Sequence, residues 1–111
     1  MTYFIGYGLR TNKGHDLPQA DRDLFFDKLA YLIETIGGEI LFAGTGTGIW
    51  EGVQEPAGSI TFISHDVPDD EVQTFIKDGL VSLAVEFEQD SIAFSIGNTL
   101  LVGADGQLVL T

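Results

Sequence analysis

The residues best suited to bind a negatively charged ligand lie in one short loop near the start of the chain. Arg10, Lys13 and His15 fall within residues 8–15. The whole chain has 17 acidic against 5 basic side chains, for a formal net charge of −12. In so acidic a chain, this local cluster indicates an anion site. The alternative is that the same bases form surface ion pairs with acidic loops nearby.

A glycine-rich run at residues 44–48 could also contribute to binding. Its alternating glycines leave backbone N–H groups accessible, and Thr45 and Thr47 add hydroxyl groups. The phosphate loops of nucleotide-binding folds are followed by a helix, whereas Gly52 and Pro56 follow this run. The run therefore predicts a bent strand, or else a cradle for a neutral ligand.

Patterns for catalysis and metal binding are weak in this sequence. The pairs His15-Asp16 and His65-Asp66 would lie at opposite ends of the expected sheet, so they predict no metal site. Ser64 precedes a histidine but lacks the turn that exposes a nucleophilic serine. We therefore expect a non-enzymatic binding protein without metal or cofactor, with a small hydrolase or isomerase as the alternative.

Length and composition narrow the protein class further. The 111 residues, 44% of them hydrophobic, are typical of a single domain spanning residues 1–111. The absence of cysteine excludes disulfide frameworks and thiolate metal sites. The acidic excess argues against direct binding to nucleic acid, and no apolar run is long enough to span a membrane. We expect a cytoplasmic protein.

The hydrophobic pattern predicts four strands, two helices and a final hairpin. Alternation typical of strands occurs at residues 3–9, 39–50, 59–64 and 91–96. Apolar residues at helical spacing occur at residues 18–36 and 66–87, with Asp66 as the expected N-cap of the second helix. Residues 99–110 are typical of a hairpin closed by a glycine-flanked turn.

This order of elements predicts an α+β fold, a ferredoxin-like βαββαβ sandwich with an appended C-terminal β-hairpin. Another α+β sandwich with a different strand order is the alternative. In the ferredoxin-like plan, the loop after the first strand meets the turn between strands two and three and the loop after the second helix. The expected ligand-binding residues are Tyr7, Arg10, Lys13, His15, Thr45, Thr47, Trp50 and Gln89. Tyr7 and Trp50 would stack on a base or sugar ring.

The helices of such a fold cover one face of the sheet, and the other face is also partly apolar. Strand one places Tyr3, Ile5 and Tyr7 on one side and Phe4 on the other. An uncovered apolar face is typical of a partner surface, so we expect a homo-oligomer.

Three stretches carry a resemblance to known proteins, at residues 3–9, 48–55 and 87–92. Together they resemble a family of small uncharacterised bacterial and phage-encoded proteins of ferredoxin-like type, over nearly the whole chain. The family often has a basic residue after the tryptophan, where this chain has Glu51. The resemblance implies a phage or mobile-element origin, and with it a location in the host cell cytoplasm.

Small acidic phage proteins without catalytic groups resemble inhibitors of host defence, and two modes of action fit this chain. In the first, an oligomer pocket sequesters a small anionic nucleotide signal by stacking and charge-assisted hydrogen bonds. In the second, the acidic surface mimics nucleic acid and occupies a host defence protein. We favour the first, because acidic residues at 69–71 are already explained by the dipole of the second helix.

Overall fold

The computed structural model describes residues 1–97, 100–102 and 108–110. For Trp50 and for the residues after 97 it describes the backbone only. The elements are β1 (Thr2–Gly8), α1 (Gln19–Thr35), β2 (Glu39–Trp50), β3 (Val53–Ile63), α2 (Asp69–Glu86), β4 (Ala93–Gly97), β5 (Leu100–Val102) and β6 (Leu108–Leu110). The turn expected within the C-terminal hairpin lies outside the described residues, whereas β5 and β6 pair antiparallel.

Strands β1 to β4 form one antiparallel sheet in the order β2-β3-β1-β4. The two helices connect strands that are not neighbours in this sheet, since α1 joins β1 to β2 and α2 joins β3 to β4. The expected α+β fold class, with a four-stranded sheet and two helices, is confirmed.

The hairpin of β2 and β3 is longer than the sequence pattern indicated. The chain reverses at Glu51 and Gly52, whose φ angles of 49° and 78° suit the tight turns preferred in hairpins. Strand β3 therefore begins at Val53, and Pro56 lies inside the strand opposite Thr47, where a turn was expected. Proline lacks an N–H, but its carbonyl accepts a hydrogen bond from Leu9 N at 2.9 Å.

Each helix buries one stripe of apolar side chains. Helix α1 buries Phe25, Leu29 and Ile33, which are spaced by four residues. Helix α2 buries Val72, Ile76, Leu80 and Leu83 and starts after Pro68. Asp66 therefore does not cap it, and its first turn is acidic instead, which suits the positive end of the helix dipole.

The core lies between the helices and one face of the sheet. Tyr3 stacks on Phe62 with ring centroids 5.0 Å apart, and Phe25 stacks on Phe87 at 4.3 Å. Gly79 permits the helices to approach closely, because a Cβ at this position would lie 2.5 Å from the side chain of Leu32. The described residues include no helix that is long and apolar enough to cross a membrane.

Candidate functional site

The face of the sheet opposite the helices is lined mostly by very small residues. Directly paired residues of antiparallel strands share a face, so Gly6 lies beside Ser59 and Ala93, and Gly8 lies beside Ala57. Gly46 pairs with the same Ala57 from the other side. These residues leave room above the backbone that larger side chains would fill.

A groove of about 670 Å³ runs over this face and is called here the open-face groove. The lining residues of its floor are Gly6, Gly8, Gly46, Gly48, Ala57 and Ala93. Its walls come from the β1–α1 loop, from the tip of the β2–β3 hairpin and from residues 89–91. The volume lies within the range of about 300–1,000 Å³ that is typical of small-molecule sites.

The walls of the open-face groove combine apolar and acidic side chains. Phe4, Ile49 and Val53 line it and are 39%, 70% and 57% exposed. The acidic residues at its walls are Glu51, Glu55 and Asp90. The groove therefore offers apolar surface for a flat ring and negative charge for a cation.

The bases expected to bind an anion are engaged in ion pairs. Arg10 lines the groove, but its Nε donates a hydrogen bond to Asp16 Oδ1 at 2.7 Å. This hydrogen bond raises the pKa of Arg10 above its ordinary value and lowers the pKa of Asp16. Lys13 Nζ lies 3.4 Å from Glu88 Oε1. Arg10 and Lys13 are therefore placed as the alternative interpretation predicted, in surface ion pairs with acidic residues nearby.

The loop that carries these bases is tied to the junction of α2 and β4. Thr11 N donates to the carbonyl of His15 at 2.7 Å, which closes the loop on itself. Asn12 N donates to the carbonyl of Glu88 at 2.7 Å, and its side-chain amide donates to Asp90 Oδ1 at 3.4 Å. The loop is thereby fixed at the groove wall.

Gln89 is held at the groove by backbone contacts from two elements. Its Nε2 donates to the carbonyl of Arg10 at 3.0 Å and to the carbonyl of Phe87 at 3.1 Å. Its Oε1 lies 2.8 Å from the point where a Cβ on Gly8 would stand, and Glu55 Oε1 lies 3.4 Å from that same point. Two acceptor oxygens thus converge above Gly8.

The structure brings together some of the predicted site residues and separates others. Arg10, Thr47 and Gln89 line the open-face groove. Tyr7 borders it too, but its ring is 5% exposed and packs on Phe25 on the helix side, so the expectation that it stacks on a ligand is wrong. Thr45 lines a second cleft of about 550 Å³, formed with α1. Lys13 and His15 are exposed beyond the lining of both cavities, and Trp50 is described only by its backbone pairing with Val53.

The floor of the site was not predicted from the sequence. Gly6 and Gly8 alternate with buried residues of β1, and Gly46 and Gly48 have the same two-residue spacing on β2, where the residues beside them are exposed. Two strands with glycine on one face are the signal that could have indicated a groove. No group of three potential metal ligands occurs among the residues that the structure describes.

The fold and groove together define a small α+β protein with a groove large enough for a small molecule. No family model matches the sequence, and no curated protein matches it. A solved structure of phage SAM lyase in complex with S-methyl-5'-thioadenosine matches with a TM-score of 0.58 and 16% identity, over 99% of this chain and 85% of that chain. Phage SAM lyase in the apo state matches with a TM-score of 0.53 and 17% identity, over 84% of this chain and 75% of that chain.

These comparisons correct one expectation. Both of these neighbours are lyases, which are enzymes, and this finding contradicts the expectation of a non-enzymatic protein. That expectation depended on the lack of an activated serine and of a metal-site pattern in the sequence. The neighbour holds a small ligand derived from a nucleoside, in line with the expectation of a small ligand of that kind.

Proposed function

We propose that this chain is a phage-type enzyme that binds S-adenosylmethionine (SAM) in the open-face groove and cleaves it to release S-methyl-5'-thioadenosine. One observation carries the proposal. The fold that the chain shares, over 99% of its length, with a SAM lyase bound to S-methyl-5'-thioadenosine has a groove of about 670 Å³ on its uncovered face. SAM is the substrate in this proposal, and no separate cofactor is involved.

The charge of the groove supports a cationic substrate over the anionic nucleotide considered first. SAM carries a sulfonium and an ammonium group against a single carboxylate, so its net charge is positive near neutral pH. Glu51, Glu55 and Asp90 line the groove, and Arg10 is paired with Asp16. A phosphate would meet these carboxylates at close range, whereas a sulfonium ion would be attracted by them.

The apolar side chains of the groove wall are suited to bind the adenosine end of SAM. Phe4 and Ile49 line the groove and expose apolar surface. A purine ring placed against either of them would bury apolar area, and the glycine backbone beneath would add no steric barrier.

Cleavage of SAM without water needs little proton transfer from the protein. The bond between the sulfonium sulfur and Cγ of the amino-acid end breaks, and the sulfur keeps the electron pair and becomes a neutral thioether. The substrate's own carboxylate oxygen can form the new bond to Cγ, closing a five-membered lactone. The enzyme then has to fold the substrate so that carboxylate and carbon meet, which is catalysis by orientation.

The proposal extends to topology, origin and biological role. The strand order β2-β3-β1-β4 supports the ferredoxin-like arrangement. The phage source of both neighbours supports a phage origin, also for the family that the sequence resembles. Removal of SAM would deprive every SAM-dependent host enzyme of its substrate. An enzyme of this kind could therefore act as an inhibitor of host defence.

Self-association is a further part of the proposal. Phe4 and Phe42 both pair with Thr61 in the sheet and therefore share the open face, where they are 39% and 70% exposed. Exposed aromatic side chains on one face are typical of a protein interface, and we propose that a second copy of the chain binds there. Native mass spectrometry should show a defined oligomer, and a monomer at micromolar concentration would contradict this part.

The activity is tested by incubating the purified protein with SAM and measuring S-methyl-5'-thioadenosine by liquid chromatography and mass spectrometry. We expect product with SAM and none with S-adenosylhomocysteine, whose neutral sulfur is a poor leaving group. Gly46→Leu should lower the rate by about tenfold or more, because its side chain would fill the groove floor. The matched control is Gly97→Leu, which also faces open space but lies outside the groove lining.

Two outcomes would contradict the proposed function. The first is wild-type protein that neither consumes SAM nor binds S-methyl-5'-thioadenosine. The second is equal loss of activity in Gly46→Leu and Gly97→Leu when both variants keep a native circular dichroism spectrum, because the groove would then not be the site.

A further inference from the structure

The two acceptor oxygens above Gly8 form a small subsite inside the open-face groove. Gln89 Oε1 lies 2.8 Å, and Glu55 Oε1 3.4 Å, from the position that a Gly8 Cβ would occupy. Any side chain at residue 8 would take up this position. Glycine at this position therefore lets both oxygens lie close to the backbone, at a point of the groove where one ligand group can contact them.

The amide of Gln89 has its orientation fixed by its partners. Both of its hydrogen bonds run from Nε2 to backbone carbonyls, those of Arg10 and Phe87. A flipped amide would place its oxygen against these two carbonyl oxygens, which would be repulsive. With the two Nε2 protons in use, Oε1 is the atom that Gln89 can offer to a ligand.

Glu55 supplies the charge of this subsite. The carboxylate of Glu55 interacts electrostatically with Arg10, but Arg10 donates its hydrogen bond to Asp16. The guanidinium charge is therefore largely satisfied at the loop, and the Glu55 carboxylate keeps its attraction for a second cation. One carboxylate oxygen and one fixed carbonyl oxygen form a suitable set of acceptors for a group with several N–H donors and a positive charge.

We propose that Gln89 and Glu55 bind the primary ammonium group at the amino-acid end of the substrate above Gly8. This inference rests on the proposed function and names a specificity-determining contact within it. S-Methyl-5'-thioadenosine lacks the ammonium group, so the subsite distinguishes substrate from product. The product loses this contact when the carbon–sulfur bond breaks, and its release is thereby favoured.

The test compares two ligands that differ in the amino-acid end but share adenosine and a neutral sulfur. S-Adenosylhomocysteine has the ammonium group, S-methyl-5'-thioadenosine lacks it, and both Kd values are measured by isothermal titration calorimetry. Glu55→Gln and Gly8→Ala should each weaken the binding of S-adenosylhomocysteine by about tenfold or more. Their effect on S-methyl-5'-thioadenosine should stay within about threefold.

Each variant has a matched control. Gly8 lies outside the left-handed region, so alanine fits its backbone and acts only by displacing the Gln89 oxygen. Gly97→Ala introduces the same methyl group where no atom of the described residues lies within 4 Å. Glu34→Gln removes an exposed carboxylate on α1, away from the groove lining. Both controls should keep wild-type Kd values for both ligands.

The possible results separate this inference from the proposed function. Equal weakening of both ligands would overturn the inference, since the pair would then bind the adenosine part, such as the adenine amino group. Unchanged binding of S-adenosylhomocysteine would overturn the inference as well. This outcome includes variants that weaken the binding of SAM alone, because Gln89 and Glu55 would then bind the sulfonium group. Wild-type protein that binds none of these ligands would overturn both proposals.

Discussion

The two faces of the central sheet use the same strands for opposite purposes. On β1, Tyr3, Ile5 and Tyr7 point to the helices and are almost completely buried. Gly6, which lies between Ile5 and Tyr7, and Gly8, which follows Tyr7, line the open-face groove. One face thus supplies the packing that stabilises the fold, and the other is left free of bulk so that a ligand can approach the backbone.

The difference shows how a chain of 111 residues can hold a site as well as a core. Burial of large apolar side chains is the main source of stability, at about 25 cal/mol for each Å² of apolar surface removed from water. In this protein that burial is concentrated between the helices and one face of the sheet. The open face contributes little of it and can be shaped by function.

The largest effect on stability is expected from removing a large side chain from the core between the helices and the sheet. Phe25 is fully buried and its ring lies 4.3 Å from that of Phe87 and 4.7 Å from that of Tyr7. Phe25→Ala should lower the free energy of unfolding by about 3–5 kcal/mol in urea denaturation followed by circular dichroism. Tyr31→Ala on the same helix, where the side chain is 73% exposed, should change it by less than about 0.5 kcal/mol. Similar losses in the two variants would contradict the division into a packed and an open side.

A smaller effect is expected from adding one methyl group to each face. A Cβ on Gly58 would lie 2.3 Å from Cζ of Tyr7 on the helix side, so Gly58→Ala should destabilise the fold by about 1–3 kcal/mol. Gly46→Ala faces open space and should be neutral or stabilising by up to about 1 kcal/mol. Midpoints of urea denaturation measure both. A loss in Gly46→Ala as large as in Gly58→Ala would mean that the open face is packed in solution.

The smallest effect concerns a buried hydroxyl on the helix side and depends on pH. Burial of Tyr3, together with the hydrogen bond that it donates to Asp69, raises the pKa of its hydroxyl above the ordinary value. A raised folded-state pKa adds stability that is complete below the unfolded value of about 10 and is lost as the pH rises above it. Tyr3→Phe should cost about 0.5–1.5 kcal/mol at pH 7 and make the alkaline loss of stability shallower.

The control for this pH dependence is Tyr31→Phe, which removes an exposed hydroxyl. It should keep both the wild-type stability and the wild-type slope between pH 9 and 11. An unchanged slope in Tyr3→Phe would show that the buried hydroxyl of Tyr3 does not contribute to the alkaline response.

Local patterns predicted much of the fold. The alternation in β1 and the four-residue spacing of Phe25, Leu29 and Ile33 are decided within each element, and the structure has both. The bounds of β3 were harder to predict, because Pro56 is typical of a turn and becomes a strand residue only through its pairing with Thr47.

The candidate site was less predictable, because a glycine has opposite meanings in different surroundings. Gly79 permits close packing against Leu32, whereas Gly46 faces open space. Only the tertiary structure separates these cases. The expectation of a non-enzymatic protein has a similar source, because the proposed reaction, in which the substrate supplies its own nucleophile, would leave no familiar catalytic pattern in the sequence.

The strand order also determines how the chain matures during synthesis. β1 leaves the ribosome before both of its partners in the sheet, which are β3, ending at Ile63, and β4, ending at Gly97. The hairpin of β2 and β3 closes through a two-residue turn and needs no distant segment. Both edges of β1 therefore stay unpaired until these partners follow, and an unpaired strand edge exposes the nascent protein to aggregation.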